Sequence, residues 1–256
     1  MRPVLTDFFG IPISAFGVFL LLGFFVAIAM ARRAVKAQLG VDPNAMLDLA
    51  LYAIIAGIVG GRIGYILVNA GTFIPDPIKM VTIWRDGGLV FYGALIAALL
   101  LTRFFARMWK VSFGGLLDAV APALVVGYGI AMVGALLHGL FAGKPTNVPW
   151  AVDLFLERRH PTQIYLLLAS AGILAILRAQ RGQQLAPGTL FVLVLFLHAI
   201  ARFVVDFFVD APAVFVSLTA GQLASGAAAV ATGILLVRLQ RQAPAPGSGA
   251  AAEVPA

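Results

Sequence analysis

The chain has 256 residues, of which 61% are hydrophobic and 11% charged, whereas a soluble domain carries about 25% charge; with a mean hydropathy of +0.99, an integral membrane protein is expected. Cysteine is absent and the three histidines, at 138, 160 and 198, are scattered, which excludes a disulfide framework, a thiolate metal site and a cysteine nucleophile of the protein's own. No metal or other cofactor is expected, and although the net charge of +7 could suggest nucleic acid, its distribution argues otherwise.

A helix needs about 20 apolar residues to cross the hydrocarbon, and seven segments qualify: 13–31, 47–69, 87–108, 115–140, 162–178, 188–209 and 213–237. The first is followed by ARRAVK rather than a small-x-small cleavage site, so it reads as an uncleaved anchor. The fifth is the shortest, and the seventh is rich in small residues (GQLASGAAAVATG), which suits close helix packing. The connections 70–86 and 141–161 mix proline, tryptophan and charge, as segments lying in the membrane interface do. A seven-helix, all-α integral membrane domain is expected over residues 1–240, with 241–256 a disordered tail because APAPGSGAAAEVPA is low-complexity.

Connections after the odd-numbered spans hold ten basic residues: Arg32, Arg33, Lys36, Arg103, Arg107, Lys110, Arg178, Arg181, Arg238 and Arg241. The opposite side holds six, Arg2, Lys79, Arg85, Lys144, Arg158 and Arg159, nearly balanced by Asp7, Asp76, Asp86, Asp153 and Glu157. The positive-inside rule places the N-terminus outside and the C-terminus in the cytoplasm. Basic residues along the inner face attract anionic membrane lipids, so the pI of about 10.2 calls for no nucleic acid.

Two arginines lie inside apolar stretches, Arg62 in AIIAGIVGGRIGYILVNA and Arg202 in LFVLVLFLHAIARFVVDFFV. A charge near mid-membrane costs roughly 2.5–3.5 kcal/mol on insertion scales and requires a partner or a purpose. Arginine grips phosphate or carboxylate through paired hydrogen bonds, so an anionic headgroup held within the bundle is one reading. Pairing of Arg202 with Asp206 one turn on, or snorkelling, is the structural alternative.

Seven segments in order, GGRIGYILVN (60–69), WRDGGLVFYGALIA (84–97), DAVAPALVVGYG (118–129), GKPTNVPWAVDL (143–154), RRHPTQIY (158–165), ARFVVDFF (201–208) and TAGQLAS (219–225), resemble the prolipoprotein diacylglyceryl transferase family over residues 12–238. The resemblance implies a multi-pass enzyme of the bacterial inner membrane. It would transfer the diacylglyceryl group of phosphatidylglycerol to the lipobox cysteine thiol of a secreted prolipoprotein, whose signal peptide it must recognise, releasing glycerol phosphate. The nucleophile then belongs to the peptide substrate, and a guanidinium would stabilise the phosphate leaving group. Arg202 falls on the essential arginine of the family's sixth-span motif, and Arg62 and Tyr65 fall on its second-span GRxGY motif. Gly87, Gly88 and Gly93 match the GGxxFxGG region, with Ala94 in place of the last glycine and Tyr92 where some members carry a histidine proposed to be catalytic. His160, Pro161 and Gln163 match HPxQxY, whose following glutamate is Leu166 here.

The fourth-span signature G-R-x-G-N-F-x-N-x-E-x-x-G reads AMVGALLHGLFAG at 131–143. Its arginine is Met132, its asparagines are Ala135 and His138, and its glutamate is Leu140; Gly134 and Gly143 survive. The first-span W-Y-G element is altered to Ala15, Phe16 and Gly17. As a divergent transferase, the chain would use Arg202 and His138 in catalysis with Tyr92. Arg62, Tyr65, Gly87, Gly88, Gly143, Lys144, His160, Gln163 and His198 would bind substrate, and Arg158 or Arg159 could add positive charge. His138 is a candidate thiol base because histidine titrates near neutral pH, and His198 stands four residues before Arg202, on the same helical face, where the family usually has tyrosine. The alternative is an inactive paralogue that binds anionic phospholipid or lipoprotein precursors.

Overall fold

The computed structural model describes residues 4–8, 11–80, 82, 88–180 and 182–242. Gly87, the charged positions Arg2, Arg85, Asp86 and Arg181, and the tail from 243 onward lie outside the described residues. Seven long helices dominate: α1 (Ala15–Leu39), α2 (Pro43–Val68), α3 (Phe91–Met108), α4 (Phe113–His138), α5 (Thr162–Ala179), α6 (Thr189–Val205) and α7 (Ala220–Arg241). All but α6 have the length and apolar character to cross a membrane; α6 is apolar but has 17 residues. The protein is therefore a multi-pass, helical membrane protein.

The sequence reading located these helices with shifted ends. The expected seventh span starts at 213, but residues Ala213–Phe215 (β5) and Leu218–Thr219 (β6) form a hairpin, and the helix begins only after the capping box of Thr219 and Gln222. In that box Gln222 N–H donates to Thr219 Oγ1 at 3.1 Å and Thr219 N–H to Gln222 Oε1 at 2.9 Å, satisfying two groups that an uncapped helix start leaves orphaned. Two more hairpins flank other helix starts: β1 (Val4–Phe8) with β2 (Ile11–Ser14), and β3 (Val152–Leu154) with β4 (Glu157–Arg159). In the connection after α2, Ala70–Phe73 makes a helical turn and Pro77–Met80 a 3₁₀ turn. The shortest of the seven is α6, where the fifth segment was expected.

By contacts the chain divides into two compact units, Met1–Met30 with Asp118–Ala256, and Ala31–Leu117. In the second, the basic end of α1 is tied to the start of α2: Arg32 Nε donates to the Pro43 carbonyl at 3.0 Å and Nη2 to Asn44 Oδ1 at 3.1 Å. Helices α2 and α3 pack through glycine. A Cβ on Gly60 would lie 2.6 Å from the Gly93 carbonyl oxygen, and one on Gly64 would lie 3.3 Å from Gly93 Cα. Apolar side chains gain little from leaving lipid for another apolar surface, so backbone approach of this kind is what holds spans together.

The first unit uses the same device and adds a half-buried carboxylate. A Cβ on Gly23 of α1 would meet the Gly127 carbonyl oxygen of α4 at 2.5 Å, and one on Gly134 would meet Phe19 Cβ at 2.5 Å. Asp118, at the first unit's edge of α4, accepts from the Gly188 N–H at 2.7 Å and the Phe191 N–H at 2.8 Å. It thus caps α6 from another helix, supplying acceptors and negative charge at an N-terminus that lacks a capping side chain of its own.

Gly93→Val should lower the thermal midpoint of the detergent-purified protein, since overpacking typically costs 1–3 kcal/mol, whereas Gly172→Ala, with nothing near its Cβ, should leave it unchanged. Asp118→Ala orphans two N–H donors and should cost about 1–3 kcal/mol by the same measurement; an unaltered midpoint would show that α6 finds its cap elsewhere.

Candidate functional site

Arg202 occupies the last turn of α6. Its Nε lies 2.9 Å from Asp206 Oδ1, with the arginine side chain 29% exposed and the aspartate 3%. The pair is an ion contact rather than an aligned hydrogen bond, because neither Asp206 oxygen has a hydrogen-bond partner. Asp206 fits against the start of α7, where Gly221 leaves the space: any Cβ there would fall on the carboxylate. The guanidinium also lies over the Phe141 ring, 4.8 Å from its centroid, and interacts with Tyr128. Asp206 engages Nε alone, so a guanidinium with five N–H donors keeps capacity for an anion.

Next to this pair lies an apolar cluster. Met132, Ala135, Leu166 and Val205 form its buried centre, with Phe16, Tyr128, Leu140, Tyr165 and Leu167 packed on it. Five of these positions, Phe16, Met132, Ala135, Leu140 and Leu166, are those at which the chain departs from the polar signatures described above. Met132 is 5% exposed and Ala135 fully buried. These side chains meet in space and fill a common volume. A single charged residue left among them would have been stranded at a cost of several kcal/mol.

His138 closes α4, with Nδ1 3.2 Å from the Ser14 Oγ. Beyond it the chain turns at Gly139 (φ +86°), where Leu140 N–H reaches the Ala135 carbonyl at 3.0 Å and Gly139 N–H the Leu136 carbonyl at 3.2 Å, a Schellman termination. The carbonyls that follow are bound by the HPTQ segment: Thr162 Oγ1 donates to Phe141 O, and the fully buried Gln163 donates through Nε2 to Leu140 O. Gln163 thereby holds Phe141, the residue under Arg202. Its Oε1 is buried without a partner.

Gly143 packs on His160, whose Cβ would lie 2.7 Å from an added methyl, and bridges to Val209. Lys144 contributes through its backbone, N–H to Phe208 O at 2.8 Å and carbonyl to His160 N–H at 3.1 Å, with its side chain exposed. Arg159 is committed to two carboxylates, Asp210 and Glu157, each at 2.7 Å, and to the Gly143 carbonyl at 3.0 Å. Arg158 donates to the Val148 carbonyl at 3.3 Å. His160 Nδ1 lies 3.1 Å from the Tyr165 hydroxyl, which also accepts from Trp150 Nε1 at 2.8 Å. His160, Tyr165 and Trp150 line a mostly apolar cavity of about 660 Å³ with Phe208 and Ile164. His198 is anchored through Nδ1 to the Val194 carbonyl at 3.3 Å, stands edge-on to Tyr128 at 4.9 Å, and buries Nε2 without a partner.

Arg202, His198, His138, Gly143, Lys144, His160 and Gln163 thus belong to the first unit. Sequence reasoning missed Tyr128, Phe141, Tyr165 and Trp150, although Tyr128 and Tyr165 stand inside motifs it had singled out.

The remaining calls belong to the second unit. Arg62 is 7% exposed and donates from Nε to the Met80 carbonyl at 3.0 Å, from Nη1 to Gly88 O at 3.4 Å and from Nη2 to Lys79 O. The Phe73 and Tyr65 rings flank it at 5.2 and 5.6 Å. Its fork staples the connection between α2 and α3. Tyr65 backs Gly88, whose φ of +84° and contact with that ring exclude any side chain. Tyr92 is half-exposed at the start of α3, edge-on to Phe91.

The profile of the prolipoprotein diacylglyceryl transferase family matches residues 3–238. Relatives named phosphatidylglycerol–prolipoprotein diacylglyceryl transferase include that of Aeromonas salmonicida, 34% identical over 211 residues, which covers 80% of this chain and 76% of the relative. That of Geobacter sulfurreducens is 32% identical over 218 residues (82% and 83%), and that of Chromohalobacter salexigens 34% over 237 (89% and 88%). Similarity of this extent, running through the helices that carry Arg202 and Arg62 alike, makes the chain a member of the prolipoprotein diacylglyceryl transferase family.

Proposed function

We propose that the protein transfers the diacylglyceryl group of phosphatidylglycerol to the lipobox cysteine of a prolipoprotein, as the names of its relatives describe. The observation that carries this reading is Arg202, a partly exposed guanidinium held at Nε by Asp206 with donors to spare. The substrate thiol loses its proton to a base, and the sulfur forms a bond to the glyceryl carbon that carries the phosphate. The C–O bond to that phosphate breaks, and glycerol phosphate leaves with the electron pair. Arg202 stabilises the charge growing on the leaving phosphate, and His138, at the end of α4 beside Ser14, takes the proton. His198 and Gln163 are positioning residues in this scheme, acting through Tyr128 and Phe141. Arg62, Tyr65, Gly88 and Tyr92 shape the connection between α2 and α3, Gly143, Lys144 and His160 shape the connection after α4, and Gly87 is proposed as a substrate-binding position from its motif alone.

The proposed setting is the bacterial inner membrane, with residues 1–240 crossing it seven times, the N-terminus outside and the C-terminus cytoplasmic. The basic bias of the connections supports this orientation. A catalytically inactive paralogue finds no support in these relatives, each of which carries the transferase name.

Expressed in cells depleted of their own transferase, the chain should restore the lipidation gel shift of a precursor; verified membrane insertion without rescue would overturn the proposal. Arg202→Ala should reduce transfer by about 10²–10³ or more, and Arg202→Lys should recover little of it because a point charge lacks the fork. Met132→Arg, which restores a signature arginine singly into the packed cluster, should lower stability by about 3–5 kcal/mol without raising transfer. A gain in rate would mean that the cluster is an open cavity.

A further inference from the structure

Helices α6 and α7 leave an open, mostly apolar groove of about 560 Å³ that ends at Arg238 and Arg241. Phe196 and Ile200 line it from α6, and Val230, Gly233 and Ile234 from α7. Its depth comes from Gly233: a Cβ there would stand 3.1 Å from the Phe196 ring, so ring and bare backbone meet at the groove's base. Val230, Ile234, Arg238 and Arg241 are all exposed and follow one another at three- and four-residue steps along one helical face. At 1.5 Å per residue, Val230 to Arg241 spans about 16 Å, the depth of one leaflet of a roughly 30 Å hydrocarbon core.

The two arginines lie in the last turn of α7, where cations are favoured by the helix dipole. Among the described residues neither makes an ion pair. An apolar channel one leaflet deep that terminates in two guanidinium groups has the form of a phospholipid. We infer that this groove binds one anionic phospholipid, with an acyl chain along Phe196 and Gly233 and the phosphate on Arg238 and Arg241. A zwitterionic lipid presents the same chains, but its own ammonium competes for the phosphate, so net charge distinguishes the two. The site involves neither Arg202 nor the transferase reading.

The full chain, reconstituted in zwitterionic nanodiscs, would be photolabelled with phosphatidylglycerol carrying a diazirine on its acyl chain, and the labelled peptides mapped by mass spectrometry. Label should concentrate on residues 229–237 and fall about fivefold for each arginine removed in Arg238→Ala and Arg241→Ala, while label on other helices stays constant. Gly233→Leu, which fills the groove and keeps both charges, should also remove it. Equal labelling by a diazirine phosphatidylcholine, or label unchanged in the double arginine variant, would overturn the proposal. So would displacement by free glycerol phosphate as effective as that by unlabelled phosphatidylglycerol, which would leave only a phosphate site.

Discussion

Hydrocarbon gives a guanidinium no solvent to bond to, and most of what is distinctive here follows from how two arginines meet that constraint. Arg62 donates to the backbone carbonyls of residues 79, 80 and 88, groups that cannot ionise or exchange for a ligand. Arg202 has a carboxylate at its Nε and aromatic groups around it. Arg202 keeps a partly exposed face beside Asp206, whereas Arg62 is buried against backbone carbonyls. The same residue type is thus a staple in one helix and a ligand-ready charge in the other.

The apolar cluster beside Arg202 extends this logic. Removal of one charged residue from a buried site leaves a void or an orphaned partner, each costing several kcal/mol. A volume filled by Met132, Ala135, Leu140, Leu166 and Phe16 together holds no charged member to be orphaned. What remains polar at the edge of that volume is Tyr128, Tyr165, His138 and His198, which retain defined hydrogen-bonding or ring contacts. In the transferase scheme, phosphate stabilisation that a second guanidinium would share falls to Arg202 and the groups around it.

The helical frame was legible in the sequence because length and apolarity alone decide it. Close packing was read from small residues in the seventh span alone, and the backbone approach of Gly60 and Gly64 to Gly93 emerged only in space. The hairpins were not legible, since strands of two to five residues carry too few positions to show a period. Nor were the contacts of Arg62 with backbone carbonyls 17, 18 and 26 residues away, since a carbonyl leaves no mark on composition. The possible partner of Arg202, by contrast, was visible as an acidic residue at i+4. Met132 looked like one more hydrophobe in a greasy helix; only against a family signature did it register as a lost arginine, and only in space did its companions become a single event.

The length of α6 bears on why Arg202 is tolerable at all. Seventeen residues make about 25 Å of helix, short of a hydrocarbon core of about 30 Å. Arg202 lies three residues from the C-terminal end, within about 5 Å of it along the axis. In the proposed seven-span arrangement, a short span draws its ends toward the headgroups or thins the bilayer around them, which would hold the charge near interfacial depth instead of the midplane, where the insertion penalty is greatest. Interfacial depth is also where a phospholipid keeps its phosphate. In that arrangement the shortness of α6 would bring its arginine to the level of the group that arginine binds best.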